Sequence, residues 1–243
     1  MTSPWVTFFK AGLLWSLLIT TLAAGTVTGK VELRESRNPA VRNRQDYSGV
    51  VVSLIPVRGN AALPVQDRHA VILQKNKAFS PHVLAIPVGS FVDFPNLDPI
   101  FHNAFSSYSG QLFDIGLYPP GSSRSVRFTR AGVVRVFCNI HSSMSAMIVV
   151  ESTPYFAVTK HDGSFSLPDV PAGEYELRIV HERSSEATLQ ALTRMVTVGP
   201  EALVLPMLGI SEAGYLSIPH KNKFGQDYAP DMEDHVMYPA TRK

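Results

Sequence analysis

The 243-residue chain carries 22 Lys and Arg against 20 Asp and Glu, a formal net charge of +2, with 45% hydrophobic and 17% charged residues. That balance describes a globular chain with apolar content for one large domain or two modest ones, and it excludes a disordered polymer. No Lys/Arg block accompanies the small positive charge, so neither nucleic acid nor an anionic membrane surface is an expected partner.

In chain order, Lys10 precedes an apolar run, Ala11 to Ala24, closed by the small residues Ala23, Ala24 and Gly25. This is the charge, apolar core and small-residue order of a secretory signal peptide, here residues 1–25. The run is shorter than the ~18 residues of a membrane span. Cleavage is therefore expected, with a periplasmic or secreted mature chain lacking stable membrane insertion; an uncleaved anchor is the alternative. Beyond it, 18 Pro and 16 Gly punctuate Val-rich runs, which predicts many short strands and turns. Strands are expected at Val27 to Leu33 and Gly49 to Val57, with the polar stretch Arg34 to Tyr47 as a loop. Ala70 to Gln74, Val83 to Phe94, Ser125 to Phe128, Val133 to Cys138 and Ala146 to Glu151 follow, which suggests an antiparallel sandwich. A compact β module comes next, with strands at Phe156 to Thr159, Ser164 to Leu167 and Tyr175 to Val180. The turn sequences His161-Asp162-Gly163 and Pro171-Ala172-Gly173 separate them. Ser185 to Met195 reads as a short helix weakened by Thr188 and Thr193, and residues 211–243 as an extended tail docked through Tyr215 and Phe224.

Exported chains usually hold cysteines in pairs, yet this chain has Cys138 alone. The residue is a spare thiol, an intermolecular bridge or a ligand. The segment Cys138-Asn139-Ile140-His141-Ser142-Ser143-Met144 has the spacing C-x2-H-x2-M, an accident of about one in a thousand for this composition. Thiolate and thioether are soft and suit Cu(I), while imidazole also serves Cu(II). A trigonal site needs a second imidazole, and His102, just after a predicted strand, is the candidate. The remaining histidines, His69, His82, His161, His181, His220 and His235, lack comparable context and read as surface or structural. The alternative, in which Cys138 is a small buried hydrophobe and His102, His141 and Met144 merely pack, explains neither the lone Cys nor the spacing.

No HExxH, GxSxG, P-loop or dinucleotide fingerprint is present, and no His-Cys-His cluster of the multicopper enzymes. One cysteine excludes a dinuclear copper-A centre. The chain is therefore not expected to be an enzyme.

Phe91 to Glu151 resembles the cupredoxins, the plastocyanin- and amicyanin-like blue copper proteins. The resemblance rests on Phe94-Pro95-Asn96-Leu97-Asp98, His102-Asn103, and the run from Gly132 through Cys138 to His141, with the short amicyanin-like spacing to Met144. It implies a Greek-key sandwich holding one type 1 copper ion on His102, Cys138, His141 and Met144. It also implies that Asn103 hydrogen-bonds the cysteine loop. Ala146, Ile148 and Val150 fit the family's small and strand positions and favour Met144 over Met147 as axial ligand. Ile140 stands where the family commonly has Pro, and Val134 where it has an aromatic.

Phe156 to Leu167 and Val170 to Leu177 resemble the carboxypeptidase regulatory-like module, a smaller prealbumin-like β-sandwich. Its usual opening strands match Gly29-Lys30-Val31 and Val50 to Leu54, which lie before the copper region. The expected organisation is all-β. Residues 26–58 and 153–210 form that second sandwich, and a cupredoxin domain, 65–152, is inserted into it. Pairing of residues 50–55 with cupredoxin strands alone would refute it.

The expected role is a one-electron carrier serving an unidentified redox partner protein, which docks on a collar of Ile140 and Phe101 around the His141 ring. Two alternatives belong to other classes: periplasmic copper storage or delivery, and an adhesion or carbohydrate-binding scaffold with a secondary copper site. No exposed aromatic row stands out for the last.

Overall fold

A computed structural model describes residues 24–59, 68–107, 110–216 and 219–228. The predicted signal segment lies outside the described residues except for Ala24 and Gly25, as do His235 and the end of the tail. The described elements begin with β1 (Ala24–Arg34), α1 (Pro39–Arg44) and β2 (Val51–Pro56). Ten strands follow: β3 (His69–Val71), β4 (Leu73–Lys75), β5 (Ala78–Ser80), β6 (Val83–Pro87), β7 (Phe91–Pro95), β8 (Phe105–Ser106), β9 (Phe113–Asp114), β10 (Ser123–Arg127), β11 (Gly132–Phe137) and β12 (Ser145–Glu151). The chain closes with β13 (Phe156–Val158), β14 (Ser164–Pro171), β15 (Gly173–Val180), α2 (Glu186–Leu192), β16 (Arg194–Val198), β17 (Leu203–Val204) and β18 (Leu208–Ser211). The fold is all-β apart from two short helices.

One body sets the sheet β10-β7-β3 against the sheet β6-β12-β11-β8-β9. The chain switches sheets between β6 and β7, β7 and β8, and β10 and β11, the cross-connected wiring of a Greek-key sandwich. The sandwich is not purely antiparallel as expected, because β6 runs parallel to β12 and β3 parallel to β7. Phe94, Phe128, Tyr118, Val136 and Ile148 fill its core, with Cys138 and Met144 at one end of the same cluster.

A second body sets β1, flanked by β14, β17 and β18, against β13-β2-β15-β16. Here β2 pairs antiparallel with β13 and β15, and β1 with β14. Strands from both sides of residues 69–151 therefore build one body. Its core gathers Val27, Val52, Leu54, Leu167, Leu177, Leu208 and Ile210; each fully buried leucine contributes roughly 1.5–3 kcal/mol of burial.

The two bodies pack through Val51, Met147 and Val149, with Val83, Ala85, Val133, Val158 and Val180 around them. This explains why Ala146 to Val150 and Val50 to Leu54 show no polar alternation. Both faces of β12 and β2 are covered, so both faces are apolar.

Two local expectations are corrected. The stretch Arg34 to Tyr47 is not all loop but holds α1, too short to leave a periodic trace. The Asn38 side chain caps it by accepting from Ala40 N, and Gln45 ends it in the left-handed conformation. The single strand expected over Val83 to Phe94 is two, because Gly89 turns the chain at φ 93°. Among the described residues, no helix is long and apolar enough to cross a membrane.

Candidate metal centre

Strands β11 and β12 pair in register from Gly132↔Val150 to Phe137↔Ser145, leaving residues 138–144 as the loop at their end. Two backbone bonds close it: Cys138 N donates to Met144 O at 3.2 Å, and Met144 N donates to His141 O at 3.2 Å. The second imidazole arrives from the chain between β7 and β8. His102 and Tyr118 exchange backbone bonds of 3.3 and 2.9 Å, and Phe105 of β8 pairs with Phe137 of β11.

These contacts place His102 Nδ1 3.9 Å and His141 Nδ1 3.6 Å from the Cys138 sulfur. The two rings meet edge to face, with centroids 4.8 Å apart. The ligand atoms of His102, Cys138 and His141 all lie within 4.8 Å of one another, and among the described residues no other His, Cys, Asp and Glu group gathers this way. Both imidazoles turn the same nitrogen toward the sulfur, the arrangement a shared ion requires. Met144 is fully buried in the same core as Cys138. Met147, the neighbouring thioether, is turned away on the other face of β12, against the second body.

Burial acts in opposite directions on His141 and Cys138. Burial, reinforced by the nearby His102 and Lys77, pulls His141 down to about 4, so its ring is neutral at physiological pH and its lone pair available. Burial pushes the Cys138 thiol up despite the hydrogen bonds it receives. A cation must therefore displace a proton the apo site holds.

Around the ligands lies a polar frame. The Asp98 carboxylate accepts from His102 Nε2 at 2.7 Å, fixing the tautomer that leaves Nδ1 free for the ion. Asp98 is itself held by Asn76 N at 2.6 Å and Lys77 N at 2.9 Å. Burial alone would raise its pKa, but the bonds from Lys77, His102 and Asn76 outweigh that and lower it. Asn103 Oδ1 accepts from Asn139 N at 2.6 Å, next to the cysteine, and its amide donates to Asp114 at 3.0 Å. Tyr118 donates to Phe94 O at 2.7 Å beneath the site and receives a bond from Gln74.

Of the residues singled out in sequence, the structure brings His102, Cys138 and His141 together, puts Met144 in the adjoining core, and sets Asn103 on the cysteine loop. Ile140 is exposed and Phe101 half-buried. Exposed Leu97 and Leu117 stand one residue from Asp98 and Tyr118. Three groups that touch the site were not singled out for it in sequence. Asp98 lay inside the quoted motif, four residues before His102, with no role assigned. His220, read as surface or structural, stacks on Phe137 at 4.1 Å. Tyr228 donates to the Cys138 carbonyl at 2.6 Å. The tail is docked through these residues, while Phe224 is 71% exposed.

No protein-family model matches the chain, and no curated protein matches it. Among solved structures, the chain is similar to a reduced variant of amicyanin at 22% identity, covering 41% of this chain and 98% of that one, with a TM-score of 0.33. It is similar to a purple cupredoxin from Nitrosopumilus maritimus at 26% identity, covering 35% of this chain and all of that one, with a TM-score of 0.31. It is also similar to a copper-containing nitrite reductase from Thermus scotoductus at 24% identity, covering 50% and 28% of the two chains, with a TM-score of 0.34.

Proposed function

We propose that this chain is an exported one-electron carrier built around a single type 1 copper ion held by His102, Cys138, His141 and Met144. One observation carries the reading: two imidazole nitrogens converge at 3.9 and 3.6 Å on one buried thiol. Copper in such a His2Cys set with a weak thioether neighbour supplies reversible one-electron exchange.

The chain's own residues account for the rest. Four protein ligands would leave no open position for substrate, which separates this site from catalytic centres. Asp98 and Asn103 pin one ring and the cysteine loop, so the ligands hold one arrangement whichever oxidation state is bound. The electron leaves by the half-buried His141 ring, and exposed Ile140 with Phe101 gives a redox partner protein an apolar place to dock. Export accords with the order of charge, apolar run and small residues in the N-terminal segment.

Storage or delivery of copper would use the same ligands, and kinetics separates the two. The carrier reading expects a reversible one-electron wave in protein-film voltammetry, repeated cycles without metal loss, and slow release to a chelator. Ready release to the chelator with no reversible wave would replace it with storage.

A further inference from the structure

We infer that residues 219–228 form a clasp over the cysteine loop, which must open for copper to enter or leave, so that this C-terminal segment sets the rate of metal exchange. The inference rests on the copper reading above, but the contacts that carry it do not.

The clasp closes a ring of polar bonds. Asn103 accepts from Asn139 N at 2.6 Å; Asn139 Oδ1 accepts from Lys223 N at 2.9 Å. Lys223 Nζ then reaches Asp114 at 2.7 Å, and Asp114 accepts from Asn103 at 3.0 Å. The tail thus completes the frame that begins at the residue beside His102. A second tether grips the cysteine itself. Tyr228 donates to Cys138 O at 2.6 Å and lies 3.1 Å from His220 Nδ1, and the His220 ring stacks on Phe137. Residues 137, 138 and 139 are all held from outside their own sandwich.

The clasp also has its own internal order. Asn222 Oδ1 accepts from Phe224 N at 2.9 Å and Gln226 N at 3.0 Å, and Gly225 N donates to Asn222 O at 2.9 Å. Gly225 sits at φ 75°, where a side chain would be strained. It is a preformed turn and not a trailing end.

Beside the loop lies a cleft of about 950 Å³, lined by Phe137, Ser142, Ser143 and His220 among others. Of its guanidinium groups, Arg135 and Arg183 are paired with Glu182 and Glu212, and Arg37 stands exposed at its edge, so the part of the cleft beside the loop is open space. Once the tethers release, the outer part of the loop, residues 139–143, has that space to shift into, while Cys138 and Met144 stay in the core. The tail contributes no residue to either hydrophobic core, so loosening it leaves both sandwiches intact.

The test uses the full-length chain with Tyr228→Phe, alone and combined with Lys223→Ala, and with Gln226→Ala, an exposed position that joins the turn through its backbone, as a control. In the protein loaded with copper and reduced to Cu(I) by excess ascorbate, transfer to excess bicinchoninate should quicken about 10- to 100-fold in the double variant, less in Tyr228→Phe, and not in the control. In the metal-free protein, alkylation of Cys138 by iodoacetamide should quicken in the same order. Release and alkylation at wild-type rates in the double variant would overturn the clasp. If the wild-type chain binds no copper through its thiol, the copper reading fails while alkylation still decides the clasp.

Discussion

The bond between Asp98 and His102 makes a quantitative demand on the reduction potential. The ring donates Nε2–H to a carboxylate at 2.7 Å, with His102 fully buried and Asp98 nearly so, which leaves little solvent to screen the pair. Asp98→Asn keeps the shape, and its one amide oxygen, placed where Oδ2 stands, still accepts from the ring and from Lys77 N; it turns an NH2 toward Asn76 N and removes the charge. A hydrogen bond to a charged group contributes about 1.5–3 kcal/mol against about 1 kcal/mol for a neutral one, so the substitution forfeits roughly 0.5–2 kcal/mol. That loss falls mainly on the oxidised state, in which the ring bears more positive charge. At 59 mV for each tenfold change in a one-electron equilibrium, the potential should rise by about 20–90 mV. Protein-film voltammetry on both proteins at one pH measures it. An unchanged or lowered potential would refute the claim that the carboxylate acts on the metal through the ring.

Other outcomes follow from the same structure. Burial alone would raise the Glu212 carboxyl, but bonds from His181, Arg183 and Ser36 hold it at about 2. Its contribution is therefore present above the ordinary value of 4.5 and lost as pH falls toward 2. Melting temperatures between pH 6 and pH 3 should fall more steeply in the wild type than in Glu212→Gln, which itself costs about 3–5 kcal/mol at neutral pH by leaving its buried partners unpaired. Leu177→Ala opens a cavity in the core of the split sandwich and should cost about 2–5 kcal/mol in urea unfolding. Ile140→Lys should slow electron transfer with the partner at least several-fold while leaving the visible spectrum unchanged; equal rates would remove Ile140 from the docking surface.

What sequence made readable here was what lies close along the chain or repeats a pattern. Cys138, His141 and Met144 fall within seven residues, so their meeting needs only a tight hairpin end. His102 was readable because a strand signal precedes it. The orientation of β12 was harder, since Ala146 to Val150 are apolar on both faces and periodicity alone does not say which face meets the metal. In the structure Met147 and Val149 face the second body, while Ala146, Ile148 and Val150 join the core that holds Cys138. The partner of the His102 ring depended on how residues 76–98 fold back, which no local spacing records. The tail was expected to dock, but its anchors Lys223 and Tyr228 were not readable: they reach groups 84 and 90 positions away through single polar bonds, and a polar aperiodic segment gives no hint of its partners.

The most direct measurement is a titration of the metal-free mature chain with Cu(II), followed by visible absorption. The account predicts an intense thiolate-to-copper charge-transfer band that saturates at one ion per chain, vanishes in Cys138→Ser, and is lost or strongly altered in His102→Ala and His141→Ala. Saturation without that band, or a band indifferent to residue 138, would contradict it.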